Sequence, residues 1–257
     1  MDIRPLHELQ IEQLPISVYR TNQELGQAAA KEAATIIQQG IRARGEANIV
    51  IATGNSQLTF LTALRTTEVD WSKVNIFHMD EYIGIDPNHP ASFPIYLQKY
   101  LISYIHPKAF FPVRTQTDDL EGACREYEAL LRKYPIDLCA LGIGENGHLA
   151  FNDPPYADFN DPVWLKVVKL DEASRRQQVS EGHFASLEDV PTHAITLTIP
   201  ALLVAKRVLA IVPEARKIDA VYRTLYGPIS EECPSSILRK TPHAHLFLDA
   251  DSARRIQ

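Results

Sequence analysis

The stretch LCALGIGENGHLAFNDPP, residues 138–155, decides how this chain is interpreted. An apolar run, LCAL, is followed by Gly142, Gly144 and Gly147 and then immediately by His148. A short apolar run that ends in glycines is typical of a buried strand leading into a tight loop. We therefore predict a strand whose carboxyl end presents a histidine.

Similar apolar, β-branched runs alternate with segments of helical period along the chain. Predicted helices cover residues 22–44, with Asn22 as N-cap, residues 120–134, capped by Asp118, and residues 214–226. Apolar strands that alternate with helices indicate a mainly parallel sheet covered on both faces. We predict an α/β fold, a single three-layer αβα Rossmann-like domain over residues 1–257, with strands at residues 16–19, 47–53, 74–79, 136–142, 194–198, 207–212 and 244–248.

Composition and charge exclude several classes of protein. The 257 residues carry a formal net charge of −6, and Lys and Arg are scattered, so we expect no nucleic-acid partner. No apolar stretch approaches the roughly 18–20 residues that span a bilayer, and no secretory signal is evident. The three cysteines are odd in number and far apart, which favours a reducing compartment and no metal site. We expect a cytoplasmic protein.

Residues 49–61, IVIATGNSQLTFL, predict a strand that runs into a turn and then a helix. The turn consists of Thr53, Gly54, Asn55 and Ser56, and Ser56 is able to cap the helix. Free N–H groups at the start of a helix favour an anion such as a phosphate. A plain strand-to-helix turn with a serine cap is the alternative.

Residues 74–85, VNIFHMDEYIGI, bring two acids to the end of a buried strand. Asp80 and Glu81 are adjacent, so they point to opposite sides of an extended chain. One of them can face a cleft and act as a general base, while the other braces the loop. An acidic loop with Asp80 as a turn cap is the alternative.

His148 is the candidate proton shuttle of the third segment, and Asp153 is near enough in sequence to orient it. A structural histidine is one alternative. A dinucleotide-binding loop is another, because Gly142, Gly144 and Gly147 match the G-x-G-x-x-G spacing. The segment after these glycines, with Asp153 followed by two prolines, does not have the pattern of the helix that such a loop requires.

Together the motifs ATGNS, FHMDEYIGI with NHPASF, and GIGENGHLAFNDP resemble the glucosamine-6-phosphate deaminase/isomerase family, which includes the 6-phosphogluconolactonases. The resemblance covers about residues 16–249. MDEY and GHLAFNDP resemble the deaminase branch, and the run that typically follows Gly-His in the lactonases is absent.

The resemblance implies roles for individual residues. Asp80 matches the base that moves a proton between C1 and C2 of the open sugar through an enediol. His148 matches the imidazole that assists ring opening, with Asp153 as its carboxylate partner where deaminases usually have Glu. Asn146 occupies a position that is Asp or Asn in the family, and we expect it in the catalytic set. The resemblance implies no metal and no cofactor.

The resemblance also implies the groups that hold the substrate. The loop of Thr53, Gly54, Asn55 and Ser56 matches the phosphate cradle, and Lys217 matches a phosphate-binding lysine. We also expect substrate contacts from Glu81, Gly147 and Arg176.

One departure concerns the phosphate-binding arginine of the family. It is expected five residues after the position of Arg175, where this chain has Ser180. Either Arg176 or His183 replaces it, or the phosphate is held differently, or the substrate is not glucosamine 6-phosphate.

We expect a hydrolase of carbohydrate metabolism, an amino-sugar phosphate deaminase/isomerase that converts a hexosamine 6-phosphate to a ketohexose 6-phosphate and ammonia. Within the family, the alternatives are a 6-phosphogluconolactonase and a sugar-phosphate isomerase without deamination. From another class, a non-catalytic sugar-phosphate sensor is the alternative. The expected partner is a small-molecule sugar phosphate, with no membrane partner, and the sequence leaves a homo-oligomer open.

Overall fold

The computed structural model describes residues 3–256, the side chain of Ala173 excepted, and an eight-stranded sheet lies at its centre. The first two strands pair antiparallel, and all other neighbouring strands of this sheet run parallel. In spatial order the strands are β1 (His7–Ile11), β2 (Leu14–Tyr19), β11 (Ala244–Asp249), β10 (Arg207–Val212), β7 (Leu138–Leu141), β3 (Ala47–Ile51), β4 (Val74–His78) and β6 (Ala109–Phe111).

A second, smaller sheet is antiparallel and was not predicted. It consists of β5 (Asp80–Tyr82), β9 (His193–Leu197) and β8 (Leu165–Lys169), in that order. The predicted strand at residues 194–198 thus lies in this sheet and not in the parallel one. Its central position there explains its apolar character, because Ile195 and Leu197 pack into the core.

Helices connect the strands and cover the large sheet. They are α1 (Asn22–Arg44), α2 (Leu58–Leu64), α3 (Phe93–Leu97), α4 (Ser103–Ile105), α5 (Leu120–Lys133), α6 (Glu172–Ser180), α7 (Ile199–Leu203) and α8 (Ile218–Tyr226). A π-helical turn at Gln98–Ile102 joins α3 to α4, and 3₁₀ turns lie at Asn55–Gln57, Trp71–Lys73, Ala215–Lys217 and Pro234–Lys240. No helix within residues 3–256 is long and apolar enough to cross a membrane.

Two of the predicted caps are displaced by one residue. Thr21, rather than Asn22, caps α1, and its Oγ1 atom accepts a hydrogen bond from the Glu24 N–H at 3.1 Å. Asp119, rather than Asp118, caps α5 and accepts from the Gly122 N–H at 2.7 Å. Each cap is the residue whose side-chain oxygen reaches the N–H three positions later.

The large sheet lies between two hydrophobic layers, as the apolar strands predict. In β3, Ile49 and Ile51 face the layer that contains α1 and α2, whereas Val50 faces the layer that contains α5, α7 and α8. Successive side chains of a strand point to opposite faces, so strands covered on both sides are apolar at every position. The three cysteines are buried free thiols, as expected for small apolar side chains.

This topology positions the candidate site. The strands β10, β7, β3 and β4 are direct neighbours and parallel, so their carboxyl ends lie side by side at one edge of the sheet. The segments that follow them carry Lys217, His148, residues 53–56 and Asp80, respectively. Open parallel sheets bind ligands beyond these ends.

Candidate active site

A single cleft opens where these four segments meet. It encloses about 750 Å³ of empty space, its open mouth included. Its lining comes from the four segments after these strands, from residues 91–96 at the start of α3 and from the region around α6. It consists of Ala52, Thr53, Gly54, Ser56, Met79, Asp80, Ala91, Phe93, Tyr96, Gly142, Ile143, Gly144, His148, Ala150, Phe151, Gln177, Gln178, Glu181, His183 and Lys217.

His148 lies in this lining, and a buried carboxylate holds its ring. The Nδ1 atom of His148 is 3.1 Å from Oδ1 of Asp153, which is fully buried. The same oxygen accepts hydrogen bonds from Asn146 Nδ2 at 2.7 Å and from Ser174 Oγ at 2.6 Å. Burial opposes ionisation of Asp153, but the His148 charge and these hydrogen bonds outweigh it and lower the pKa to about 2. With Nδ1 bound to a permanent carboxylate, Nε2 is the ring atom that can act on a substrate.

Glycines of this segment leave space for the His148 imidazole and allow the chain to turn beside it. A Cβ atom on Gly144 would lie 2.2 Å from Cε1 of His148, so the ring packs directly against the glycine backbone. Gly147 has φ +93°, and a Cβ atom there would meet Sγ of Cys233 at 2.7 Å. Gly147 therefore serves a tight turn, and the lining of the cleft does not include it, although we expected it to contact substrate.

Asp80 faces the cleft, whereas its neighbour Glu81 faces away from it. Glu81 accepts hydrogen bonds from Ser92 Oγ at 2.7 Å and from the N–H groups of Tyr82 and Phe93 at 2.8 and 3.2 Å. It therefore braces the loop that covers this edge, and the substrate contact expected of it has no support from its position. Burial raises the pKa of Asp80 well above its ordinary value, and the Glu81 charge raises it further. Burial raises the pKa of Glu81 itself to about 7.

The segment that follows β3 contributes Thr53, Gly54 and Ser56 to the lining. Ser56 does not cap α2 as predicted, because residues 55–57 form a 3₁₀ turn before that helix. Asn55 is not part of the lining, and its Nδ2 atom donates a hydrogen bond to the Glu181 carbonyl at 3.3 Å. The first N–H groups of such a turn lack partners within it, so the segment offers donors to an anion.

Lys217 lines the cleft beside this segment and is only 3% exposed. Burial and the neighbouring Arg216 charge lower the pKa of Lys217 to about 8. The Arg216 guanidinium is occupied by Glu181, by Glu214 at 2.6 Å and by Glu145 at 3.5 Å. Lys217 is therefore the ammonium available to a ligand at this end of the cleft.

Two arginines near the expected position of the family arginine do not reach the cleft. Arg176 is exposed on α6 and pairs with Glu172, so the substrate contact expected of it is not supported by its position. Arg175 donates to the carbonyl groups of Leu187 and Val190 at 2.5 and 2.9 Å. Ser180 is exposed and bonds back to the Gln177 carbonyl within its own helix.

Ser174 and Glu181 were not identified from the sequence, whereas His183 was named there as one replacement for the family arginine. Ser174 bonds to the carboxylate that holds His148, and Glu181 and His183 line the cleft. Their segment is polar and has no apolar run before it, so no pattern marks it as part of a site. Within residues 3–256, no group of three or more His, Cys, Asp or Glu side chains is arranged to hold a metal ion.

The chain is similar to a well-defined set of known proteins. Residues 20–247 match the family model of glucosamine-6-phosphate isomerases/6-phosphogluconolactonase. A glucosamine-6-phosphate deaminase of Bacillus cereus strain B4264 is 34% identical over 237 residues, which cover 92% of this chain and 87% of that protein. A glucosamine-6-phosphate deaminase of Bacillus anthracis strain A0248 is 33% identical over 237 residues, which again cover 92% of this chain and 87% of that protein.

Solved structures support the same relationship. A monomeric glucosamine-6-phosphate deaminase superposes with a TM-score of 0.86 at 30% identity, covering 93% of this chain and 98% of that one. A 6-phosphogluconolactonase from Shewanella baltica OS155 superposes with a TM-score of 0.78 at 19% identity, covering 94% of this chain and 100% of that one, which shows a shared fold.

Proposed function

This chain belongs to the family of glucosamine-6-phosphate isomerases and 6-phosphogluconolactonases, and we propose that it is an amino-sugar phosphate deaminase. It takes a hexosamine 6-phosphate to a ketohexose 6-phosphate and ammonia. The observation that carries this proposal is that Asp80 and His148, one on each side of the 53–56 segment, line a single cleft with Lys217. The similarity to deaminases over 92% of the chain supports the deaminating reaction.

Ring opening is the first step, and we assign it to His148. Opening a hexopyranose moves the O1 proton away and delivers a proton to O5, which suits one imidazole that gives and takes protons near neutral pH. Asp153 and Asn146 keep the ring in place, since both belong to the hydrogen-bonded chain behind Nδ1. His148 Nε2 is the atom that handles the proton.

Proton transfer between C2 and C1 is the second step, and we assign it to Asp80. The carboxylate takes the proton from C2 of the open 2-amino aldose, and the electron pair of that C–H bond forms the C1–C2 double bond. The π pair of the C1 carbonyl moves to O1, which takes up a proton. The product is an enaminol, the nitrogen counterpart of an enediol. Asp80 returns its proton to C1 and the nitrogen gives up a proton, which balances the one taken up by O1 and leaves an imine at C2. Burial strengthens Asp80 as a base by raising its pKa.

Loss of ammonia completes the reaction. Water adds to the C2 imine to give a carbinolamine, and the C2–N bond breaks with the electron pair leaving on ammonia. The oxygen that remains becomes the C2 carbonyl of the ketohexose 6-phosphate. No electrons are exchanged with an external acceptor, and the residues of the cleft supply the acid and base groups that each step needs.

Substrate binding relies on the phosphate group in this proposal. Lys217 and the N–H groups of the 53–56 segment, with Thr53 and Ser56 hydroxyl groups beside them, form the anion-binding end of the cleft. When the 6-phosphate binds at this end, C1 and C2 of the sugar lie toward Asp80 and His148. We assign no metal or other cofactor to the reaction.

The test is a product assay with several substrates. Purified protein is incubated with glucosamine 6-phosphate, galactosamine 6-phosphate and 6-phosphogluconolactone, and ammonium, ketohexose 6-phosphate and acid release are measured. We expect equal amounts of ammonium and ketohexose 6-phosphate from at least one hexosamine phosphate. Lactone hydrolysis without ammonium from any hexosamine phosphate would overturn the proposal and favour a lactonase. Tight sugar-phosphate binding without turnover would instead favour a sensor.

A further inference from the structure

We infer that His183, held by Glu181, is the second phosphate-binding cation of this cleft, so that phosphate affinity depends on protonation of one imidazole. This inference rests on the proposed function for the identity of the substrate. The site itself can be tested with phosphate alone.

Few of the side chains that line the cleft can carry a positive charge. Of the described residues in its lining, Lys217, His148 and His183 are the ones that can carry a positive charge. His148 is already assigned to ring opening in the proposed function, with its Nδ1 atom on Asp153. A phosphate dianion beside Lys217 therefore has His183 as its remaining cationic partner.

The arginines near the cleft are bound to other groups of the protein. Arg175 binds two carbonyl groups of the loop near Val190, and Arg176 is exposed and paired with Glu172. Arg216 is tied to three carboxylates and is absent from the described lining. Each of these guanidinium groups would have to break existing ion pairs or hydrogen bonds to reach a ligand.

A buried carboxylate orients the His183 ring. Its Nε2 atom lies 3.3 Å from Oε2 of Glu181, a carboxylate whose side chain is 7% exposed. With Nε2 held by this carboxylate, Nδ1 is the ring atom of His183 that is left to meet a ligand. The charged or titratable groups that face His183 are Glu181, then Asp86, His89 and Asp189 of the adjoining cavity, and Lys217 in the cleft.

Glu181 is the positioning residue of this arrangement. It also accepts a hydrogen bond from Gln177 Nε2 at 2.6 Å and pairs with Arg216, so it has little freedom to move. Its charge is thereby balanced, which allows a carboxylate to remain beside a phosphate site. The loop following α6 thus supplies an acid–imidazole pair where the family resemblance led us to expect an arginine.

The consequence is a pH-dependent affinity. His changes its charge between about pH 5 and 8, so phosphate binding weakens as pH rises through that range. An arginine at the same position stays charged throughout. Replacement of His183 by Arg should therefore remove the part of the pH dependence that comes from this imidazole. Replacement by Gln should weaken phosphate binding most at low pH, where the imidazole is charged.

The experiment compares wild type with His183→Gln, His183→Arg and the control Arg176→Gln, which alters an exposed cation of the same segment. KM and kcat for glucosamine 6-phosphate are measured from pH 6 to 9, and inorganic phosphate binding is measured by calorimetry at the same pH values. The second ionisation of phosphate and the titration of Lys217 are shared by all variants, so they cancel from the ratios.

At pH 6.5 we expect a KM about 10-fold higher for His183→Gln, the size of a lost charged hydrogen bond, with kcat within about 2-fold. The KM ratio of wild type to His183→Arg should rise with pH. Equal phosphate affinity in wild type and His183→Gln would overturn the inference, as would a pH-independent KM ratio to His183→Arg. If no hexosamine phosphate is turned over, the calorimetric comparison still decides the inference separately from the proposed function.

Discussion

The Nδ1 atom of His148 lies 3.1 Å from Oδ1 of Asp153, and the same oxygen also accepts the Asn146 amide and the Ser174 hydroxyl. One carboxylate oxygen thus gathers three donors and fixes the orientation of the imidazole. This oxygen ties the loop after β7 to α6, two parts of the chain that the sequence separates by more than twenty residues.

Asp153→Asn should lower kcat by about 100-fold, within the usual range for general acid–base groups. The amide cannot stabilise a charged imidazole, and its N–H₂ group favours the wrong tautomer of His148. Steady-state ammonium release measures the effect, with Asp118→Asn, a change at an exposed acid, as the control. A kcat equal to that of wild type would show that this contact has no catalytic role.

Gly144→Ala should also lower kcat/KM by about 100-fold, because the added methyl group occupies space held by the His148 ring. A displacement of about 1 Å at a catalytic group is sufficient for such a loss. Circular dichroism and thermal unfolding should show that the fold is retained. Unchanged kinetics in the folded variant would mean that the ring does not act from this position.

The acid limb of the pH–rate profile should reflect protonation of Asp80. A base must be ionised, so kcat/KM falls as pH drops through the raised pKa of Asp80. Because the Glu81 charge contributes to that rise, Glu81→Gln should move the limb to lower pH. The substrate phosphate titrates identically with both proteins. A limb that stays in place or moves to higher pH would contradict the assignment.

Glu181 should make stability depend on pH in acid. Burial opposes its ionisation, but hydrogen bonds from His183, Arg216 and Gln177 lower its pKa from 4.5 to about 2. Because the Glu181 carboxyl has a lower pKa in the folded state than in the unfolded state, its ionised form stabilises the fold. This contribution is present above about pH 4.5 and is lost as the pH falls toward 2. At 1.36 kcal/mol per pKa unit it is on the order of 3 kcal/mol.

Urea unfolding of wild type, Glu181→Gln and the exposed-acid control Glu68→Gln checks this contribution. The gap in unfolding free energy between wild type and Glu181→Gln should be largest near pH 7 and should shrink by pH 3. The Glu68→Gln protein should follow wild type. A gap of the same size at both pH values would rule out the ion-pair explanation.

The central sheet could be predicted because its strands are buried on both faces and therefore apolar throughout. The runs at residues 47–53, 74–79 and 207–212 contain β3, β4 and β10. The strands β1 and β8, HELQI and LKVVK, were missed because they are partly exposed and carry mixed polarity. Such strands are fixed by pairing with neighbours, which a local pattern does not reveal.

The same reasoning explains which parts of the cleft were predicted. Asp80, His148 and the 53–56 segment each follow an apolar strand directly, so topology alone brings them to one edge of the sheet. Glu181 and His183 come from the loop after the short polar helix α6, and only tertiary packing takes them to the cleft. Glutamate and histidine are common in polar surface segments, and these two belong to the site only because of the residues that surround them in the folded chain.

The most direct test of the central claim, that Asp80 moves a proton from C2 to C1 of a hexosamine 6-phosphate, compares Asp80→Asn with wild type and Asp118→Asn. Ammonium and ketohexose 6-phosphate are quantified together in time courses with glucosamine 6-phosphate. Wild type and Asp118→Asn should form both products in equal amounts, and Asp80→Asn should form both at least 100-fold more slowly. Formation of ketohexose 6-phosphate by folded Asp80→Asn at the wild-type rate would contradict the account.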